Sequence, residues 1–181
     1  NFSARKFCDN FIIGEYEDKV VLNEFINSAN YFTIETENVP KQILKVIEKK
    51  KKIFPSSKII EITQNRLKEK KFLNSIKNIK TARYKQINNF DDLQNAIELF
   101  NFNAILKSCE LGYDGKGQFL INKKNFLDFK NRPLKNYILE EFLEFEKEIS
   151  IIISRSKKNL IYYPPVENLH KNSILRETRF P

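Results

Sequence analysis

Three of the chain's four glycines stand within six residues, in the run Gly112-Tyr113-Asp114-Gly115-Lys116-Gly117, and Gln118 follows. Elsewhere the chain has only Gly14. Glycine lacks a Cβ, so it permits positive φ and close backbone approach. Consecutive N–H groups in such a run can point at one anion, most often phosphate. The apolar run Ala104-Ile105-Leu106, ending in Lys107, lies before the cluster, and Phe119-Leu120-Ile121 lies after it. The expectation is a strand, a basic residue, a flexible glycine-rich loop and a second strand: a phosphate lid set in a hairpin. The order of residues is not that of a P-loop, which needs Ser or Thr after Gly-Lys and then a helix. The dinucleotide fingerprint also orders its glycines differently and opens a helix. A long hairpin turn without a ligand could carry the same glycines, and spacing alone leaves that open.

A chain of 181 residues can bury a core, as one domain or two small ones. No apolar run reaches the length of a membrane span, so no membrane partner is expected. Nothing at the start resembles a signal peptide. Cys8 and Cys109 lie far apart and His170 is the one histidine. That is too few for a Cys/His zinc site or a disulfide framework. Reduced, cytoplasmic chemistry is the expectation. The chain has no methionine, so it reads as processed or as a piece of a longer protein.

Lys and Arg number 32 against 23 Asp and Glu, a net charge of +9. Part of the excess is the run Lys49-Lys50-Lys51-Lys52, read as a solvated face. A basic chain can bind nucleic acid, but no nucleic-acid motif accompanies the charge. Polyanionic small ligands, such as nucleoside triphosphates and sugar phosphates, explain a positive cleft equally well.

The pattern predicts a helix over 20–26, a strand over 31–34, a helix over 42–51 and a turn at Pro55-Ser56-Ser57. From Ile59 the chain reads as helical, with Ile62, Leu67, Phe72 and Leu73 as packing residues. A boundary is expected near 77–81. Beyond it, 84–87 reads as a strand, and Asp91 or Asp92 as the cap of a helix running to Phe100. Strands over 104–107 and 118–121 flank the glycine loop. A short helix covers 125–130, and a strand over 137–139 ends in Glu140-Glu141. The run 149–154 is β-branched and reads as a buried strand, and 160–163 as another. The class is α/β or α+β, with a mostly antiparallel second half.

Several segments together resemble the ATP-grasp ligases, and within them the 5-(carboxyamino)imidazole ribonucleotide synthases of purine biosynthesis. They begin with Glu35-Thr36-Glu37-Asn38-Val39-Pro40, Asn65-Arg66-Leu67, Glu69-Lys70, Phe72-Leu73 and Thr81-Ala82. They continue with Leu106-Lys107, Gly112 to Gln118, Leu139-Glu140, Glu148-Ile149-Ser150, Tyr163-Pro164, Glu167-Asn168-Leu169-His170 and Ile174-Leu175. The glycine-rich segment and the Asn-x-His segment are the most specific. The chain departs from the family in having Thr36 where an aromatic is usual and Lys116 where Arg is usual. The family's opening Gln-Leu-Gly turn is not found here.

The resemblance implies an ATP-grasp fold over 79–181, behind the remainder of a Rossmann-like pre-ATP-grasp domain over 1–78. Within it, 79–139 would be the small nucleotide lobe and 140–181 the start of the large lobe. The implied ATP contacts are Arg66, Lys107, the lid Gly112, Tyr113, Asp114, Gly115, Lys116, Gly117 and Gln118, the linker Glu140, Glu141, Phe142 and Leu143, then Glu148 on the ribose and His170 beside the nucleotide. For Glu148 the following strand is a further argument, since it alone of five nearby acids directly precedes the β-branched run. Tyr113, Asp114 and Lys116 would also face 5-aminoimidazole ribonucleotide and serve catalysis. Glu35 would meet that substrate, unless it caps the helix after Pro40. The implied reaction is carboxylation of the ribonucleotide's amine by bicarbonate, with ATP consumed and carboxyphosphate as intermediate. Magnesium is implied, with its ligands expected beyond Pro181, so the 181-residue chain alone is expected to be inactive. No nucleic-acid partner is expected, and a homodimer stays open. The rival readings are another ATP-grasp carboxylate–amine ligase and a basic nucleic-acid-binding module.

Overall fold

The computed structural model describes residues 3–36, 38–112, 117–171 and 174–180. The chain divides into two units, Asn1–Phe72 and Leu73–Pro181.

The first unit opens with a 3-10 turn, Ser3–Phe7, and then α1, Lys19–Ser28. Asp18 caps α1 by accepting hydrogen bonds from the N–H groups of Val20 (2.9 Å) and Val21 (3.2 Å), which satisfies two otherwise orphaned donors. Strand β1, Tyr31–Thr33, pairs in parallel with β2, Lys52–Phe54, and Phe32 faces Ile53 in the register. Parallel strands need a crossover, and α2, Lys41–Lys50, supplies it. Its buried Leu44 and Ile47 join Ile26, Phe32, Val39, Ile53 and Ile60 in one core.

The lysine run is largely exposed, as expected of a solvated face: Lys49 and Lys50 end α2, Lys52 opens β2, and Lys50 and Lys51 reach the side chains of Asn23 and Asn30. The stretch from Ile59 is two helices, α3, Ser57–Thr63, and α4, Arg66–Ser75. The break comes at Gln64-Asn65. Gln64 donates its amide to the Val39 carbonyl (2.7 Å), and Asn65 accepts the Lys68 N–H (3.1 Å). Leu67 is buried as expected, but Phe72 is half exposed. Glu61 ties α2, α3 and α4 together through Lys68 (2.6 Å) and Lys45 (3.4 Å). The hydrogen bond from Lys68, then that from Lys45, holds its carboxyl below the usual range.

The second unit contains β3, Tyr84–Ile87, α5, Phe90–Leu99, β4, Ala104–Ser108, β5, Gln118–Ile121, a 3-10 turn at Phe126–Phe129, and β6, Tyr137–Glu141. The strands form one antiparallel sheet in the order β3-β6-β4-β5. Asn89 caps α5 by accepting the Asp92 N–H (2.8 Å), and Asp92 accepts the Asn88 N–H (2.9 Å) in return. Neither Asp91 nor Asp92 is therefore the cap. The capping oxygen must precede the first helical residue, and both aspartates lie inside the helix.

Side chains alternate across a strand, so the register divides this sheet into two faces. Ala104, Leu106, Ile121, Leu139 and Ile87 lie on one face and form a single core with Leu93, Ala96 and Ile97 of α5 and with Phe129 and Leu134. Ile105, Lys107, Gln118, Ile138 and Glu140 fall on the other face. The helix-packed core thus takes one side of the hairpin and leaves Lys107 on the opposite side.

The remaining strands are short: β7, Glu148–Ser150, β8, Ile153–Arg155, β9, Leu160–Tyr162, β10, Val166–Lys171, and β11, Ile174–Arg179. They make a three-stranded sheet β11-β10-β7 and a separate hairpin β8-β9. The expected buried strand over 149–154 is thus two strands, with a break at Ile151-Ile152. It is not buried: Ile149, Ile151, Ile152 and Ile153 are 51–68% exposed. β-Branching favours a pleated backbone, whereas burial needs a second layer. Among the described residues no second layer covers these isoleucines.

Candidate functional site

The glycine-rich loop joins β4 to β5, as the sequence predicts, and Lys107 lies directly across from Gln118. Tyr113, Asp114, Gly115 and Lys116 lie outside the described residues. Gly112 and Gly117 flank them. Gly117 has φ +70°, and a Cβ there would come within 2.8 Å of the Ser108 hydroxyl. Its carbonyl accepts the Ser108 N–H at 2.9 Å, closing the base of the loop. The hydroxyl can rotate aside, so the conformation sets the cost of adding a side chain. Gly117→Ala is expected to destabilise the second unit by about 1–2 kcal/mol, the penalty for a left-handed L-residue. Thermal unfolding checks this, and an unchanged midpoint would show that the loop base tolerates other conformations.

On the face turned from the core, the Lys107 ammonium lies 3.0 Å from a Glu140 carboxylate oxygen. Glu140 and Ile138 are buried in the central strand β6, and Ile105 and Gln118 are half buried beside them. Glu140 is thus not the solvated acid that a Glu-rich stretch suggests. Glu141 serves the opposite face. Its carboxylate takes a two-pronged ion pair from Arg83, at 2.8 Å and 2.5 Å. The hydrogen bond from Arg83 lowers its pKa, and the same bond raises that of Arg83.

The linker backbone is also largely engaged. The Glu141 N–H donates to the Arg83 carbonyl (2.9 Å) and the Phe142 N–H to the Asn103 carbonyl (3.2 Å). Leu143 is the first residue past β6 whose N–H has no backbone partner among the described residues. Of the four linker residues expected at a nucleotide, Glu141 is thus already paired through both side chain and N–H.

A second cluster lies on the three-stranded sheet. His170 Nδ1 stands 3.1 Å from Glu148. Glu148 faces Asn168 in the register, and His170 is two residues on, so these side chains share a face. A register shift between Leu169 and His170 marks an irregularity against β11. Asn168 donates to the Ser150 hydroxyl (3.0 Å) and accepts from Thr178 (3.2 Å). In a neutral ring, an Nδ1–H given to Glu148 leaves Nε2 as an acceptor, and in a charged ring both nitrogens donate. The two expected ribose and nucleotide residues are therefore in contact, although the argument from a buried strand after Glu148 does not hold.

In the first unit, Glu35 lines a hollow of about 380 Å³ together with Thr36, Tyr16, Phe32 and Ile34. The cap position of α2 is Pro40, so Glu35 is not the cap. Arg66 heads α4, where Asn65 accepts the Lys68 N–H. Glu37 lies outside the described residues. Among the described residues no three His, Cys, Asp or Glu side chains converge as metal ligands. They do not fit a magnesium site by themselves.

Two supporting residues, Arg83 and Ser108, escape a sequence reading, and Ser150 enters it only within the resemblance, without its contact to Asn168. Arg83 carried a signal of sorts, as an isolated arginine just before a strand. Ser108 and Ser150 act through register, which a single sequence does not show.

The family models match in two parts. The ATP-grasp domain covers residues 72–181 and the ribonucleotide synthetase preATP-grasp domain covers residues 1–64. The chain is 34% identical over 181 residues to the N5-carboxyaminoimidazole ribonucleotide synthase of Staphylococcus aureus (strain COL), covering 98% of this chain and 48% of that protein. It is 35% identical over 173 residues to a bifunctional purine synthesis protein of Dictyostelium discoideum, covering 92% of this chain and 17% of that one. Among solved structures, N5-carboxyaminoimidazole synthetase from Staphylococcus aureus complexed with ADP superposes with a TM-score of 0.87 at 32% identity, covering 96% of this chain and 47% of that one. The chain spans about half the length of the synthases it matches. With a preATP-grasp segment followed by a glycine-looped antiparallel sheet that matches the ATP-grasp model, the chain belongs to the ATP-grasp family.

Proposed function

We propose that this chain is part of an ATP-dependent carbon–nitrogen ligase that carboxylates 5-aminoimidazole ribonucleotide. The domain division at 78/79, and the lobes 79–139 and 140–181, belong to the same reading. The γ-phosphoryl group of ATP passes to a bicarbonate oxygen, giving carboxyphosphate and ADP. The amine nitrogen of the ribonucleotide then bonds to the carboxyl carbon as the carbon–oxygen bond to phosphate breaks. Phosphate leaves and the amine gives up a proton, so the carboxylated product, ADP and phosphate balance the equation. Water must be kept from so reactive an intermediate, which suits a lid such as 112–118.

One observation carries the reading: a lysine held at the mouth of a glycine-rich hairpin, on the sheet face that the helix leaves uncovered. Lys107 would meet the phosphates, and the lid residues Tyr113, Asp114 and Lys116 would face both ATP and the ribonucleotide. Gly112, Gly115, Gly117 and Gln118 would bring backbone donors to the triphosphate. Past Glu140 and Glu141, Phe142 and Leu143 would offer backbone to the adenine edge, with the Leu143 N–H as donor. Glu148 would take the ribose hydroxyls, its contact with His170 fixing both. Arg66 would add charge at the phosphates. Glu35, at its hollow, would bind the ribonucleotide. The likeness to the Staphylococcus aureus N5-carboxyaminoimidazole ribonucleotide synthase supports this choice of substrate. Magnesium belongs to the proposal as a requirement of the intact protein. A cytoplasmic location belongs to the same reading.

The test is phosphate release by the intact protein. Release is expected only when ATP, magnesium, bicarbonate and 5-aminoimidazole ribonucleotide are present together. Release with a different amine or carboxylate in place of these would make it another ATP-grasp ligase. Binding of RNA with a steep salt dependence and no phosphate release would favour a nucleic-acid module.

A further inference from the structure

Glu140 and Lys107 are diagonal neighbours on adjacent strands: Glu140 faces Ile105 in the register, two residues before Lys107. Their charged atoms are 3.0 Å apart, and the side chains are only 9% and 20% exposed. Glu140 sits on the central strand β6, paired on one side with β3 and on the other with β4. Both backbone ladders hold that residue, and its side chain is almost wholly buried, so its carboxylate has little freedom to move. Lysine is the opposite case. Its ammonium rides on a flexible four-carbon stem and carries three donors. An ammonium half removed from water also needs a counter-charge to stay favourable as a cation.

We propose that Glu140 is a positioning residue, whose carboxylate anchors the Lys107 ammonium so that its two remaining N–H donors face the phosphate oxygens of a bound nucleoside di- or triphosphate. This rests on the reading of Lys107 as a phosphate ligand, and it gives the Glu140 side chain a role separate from the linker backbone. The ammonium stands between the carboxylate and the phosphates, which offsets the repulsion that two anionic groups would otherwise feel. Glu141 has no part in this, because Arg83 holds its carboxylate on the other face of the same strand.

The experiment is a double-substitution cycle in the intact protein, with ADP and adenosine affinities measured by calorimetry. Lys107→Ala, Glu140→Gln and the double variant are compared with the wild type. Glu140→Gln is expected to weaken ADP about tenfold, the scale of one charge-assisted hydrogen bond. Adenosine, which has no phosphate, should change by less than about twofold if the carboxylate acts only through Lys107. In the Lys107→Ala background the same substitution should change ADP affinity by less than about twofold. Equal losses for adenosine and ADP would show that the carboxylate touches the base, and would overturn the proposal. An undiminished tenfold loss in the Lys107→Ala background would overturn it as well. If Lys107→Ala itself leaves ADP affinity unchanged, the reading of Lys107 fails, and the proposal with it. Should Glu140→Gln not fold, Glu140→Asp carries the test, because retracting the carboxylate by one methylene should weaken ADP and spare adenosine.

Discussion

Leu106→Ala is expected to destabilise the second unit by about 2–5 kcal/mol, the range for truncating a buried leucine. Leu106 is fully buried on β4, with Phe119 and Leu139 directly opposite on the two flanking strands. It belongs to the core that joins the sheet to α5, so the cavity left by three missing carbons is bounded on several sides and cannot readily collapse. Urea unfolding, with hydrogen exchange read on β4 and β6, measures the loss. Leu106→Met, close in volume, should cost less than about 1.5 kcal/mol. Ile105→Ala, on the other face and half buried, should also cost less than Leu106→Ala. Equal losses at positions 105 and 106 would mean that the sheet has no distinct core face, and the division of residues between nucleotide face and core would fall.

Lys107→Ala should weaken ATP binding by about 1.5–3 kcal/mol, the worth of a hydrogen bond to a charged group. That is a loss of roughly ten- to 150-fold in affinity. The substitution has a second consequence. It takes the Lys107 ammonium away from the buried Glu140 carboxylate, and removing one partner of a buried ion pair is destabilising. Affinity is therefore measured by calorimetry well below the unfolding midpoint, so that only folded protein is compared. The double variant Lys107→Ala with Glu140→Gln removes both charges. It should recover stability relative to Lys107→Ala alone without recovering ATP affinity. Unchanged affinity in the single variant removes Lys107 from the nucleotide site.

Much of the hairpin was legible in the sequence because its signals are local. Ala104 to Lys107 and Gln118 to Ile121 are short apolar runs on either side of glycines, and they pair as antiparallel neighbours. α1 and α2 fall within a residue or two of their predicted spans, because their apolar spacing follows the helical repeat. Elsewhere, local signals misled. Lys52-Ile53-Phe54 is too short for a pattern, yet pairing with β1 makes it a strand. Asp91 and Asp92 look like caps, but Asn89 does the work one turn earlier. The isoleucine run over 149–154 reads as core and is exposed.

The candidate site divides the same way. Residue types and spacing alone pointed to Lys107 and the glycine loop, because phosphate binding demands a cation and a close backbone. The resemblance added Arg66, the linker from Glu140 to Leu143, Glu148 and His170. The sequence could not show that Glu140 and Glu141, adjacent in the chain, serve opposite faces and opposite partners. That depends on which face the helix α5 covers, and a two-residue period has no way of naming its own inside. Nor could it show that Gly117 takes a left-handed conformation beside Ser108, or that Glu148 meets His170, since both contacts join residues brought near only by strand register. Types of element and types of chemistry follow from local composition, because backbone preference and charge are properties of each residue. Pairing and orientation follow from packing, because hydrogen-bond ladders and buried surface exist only once distant segments have met.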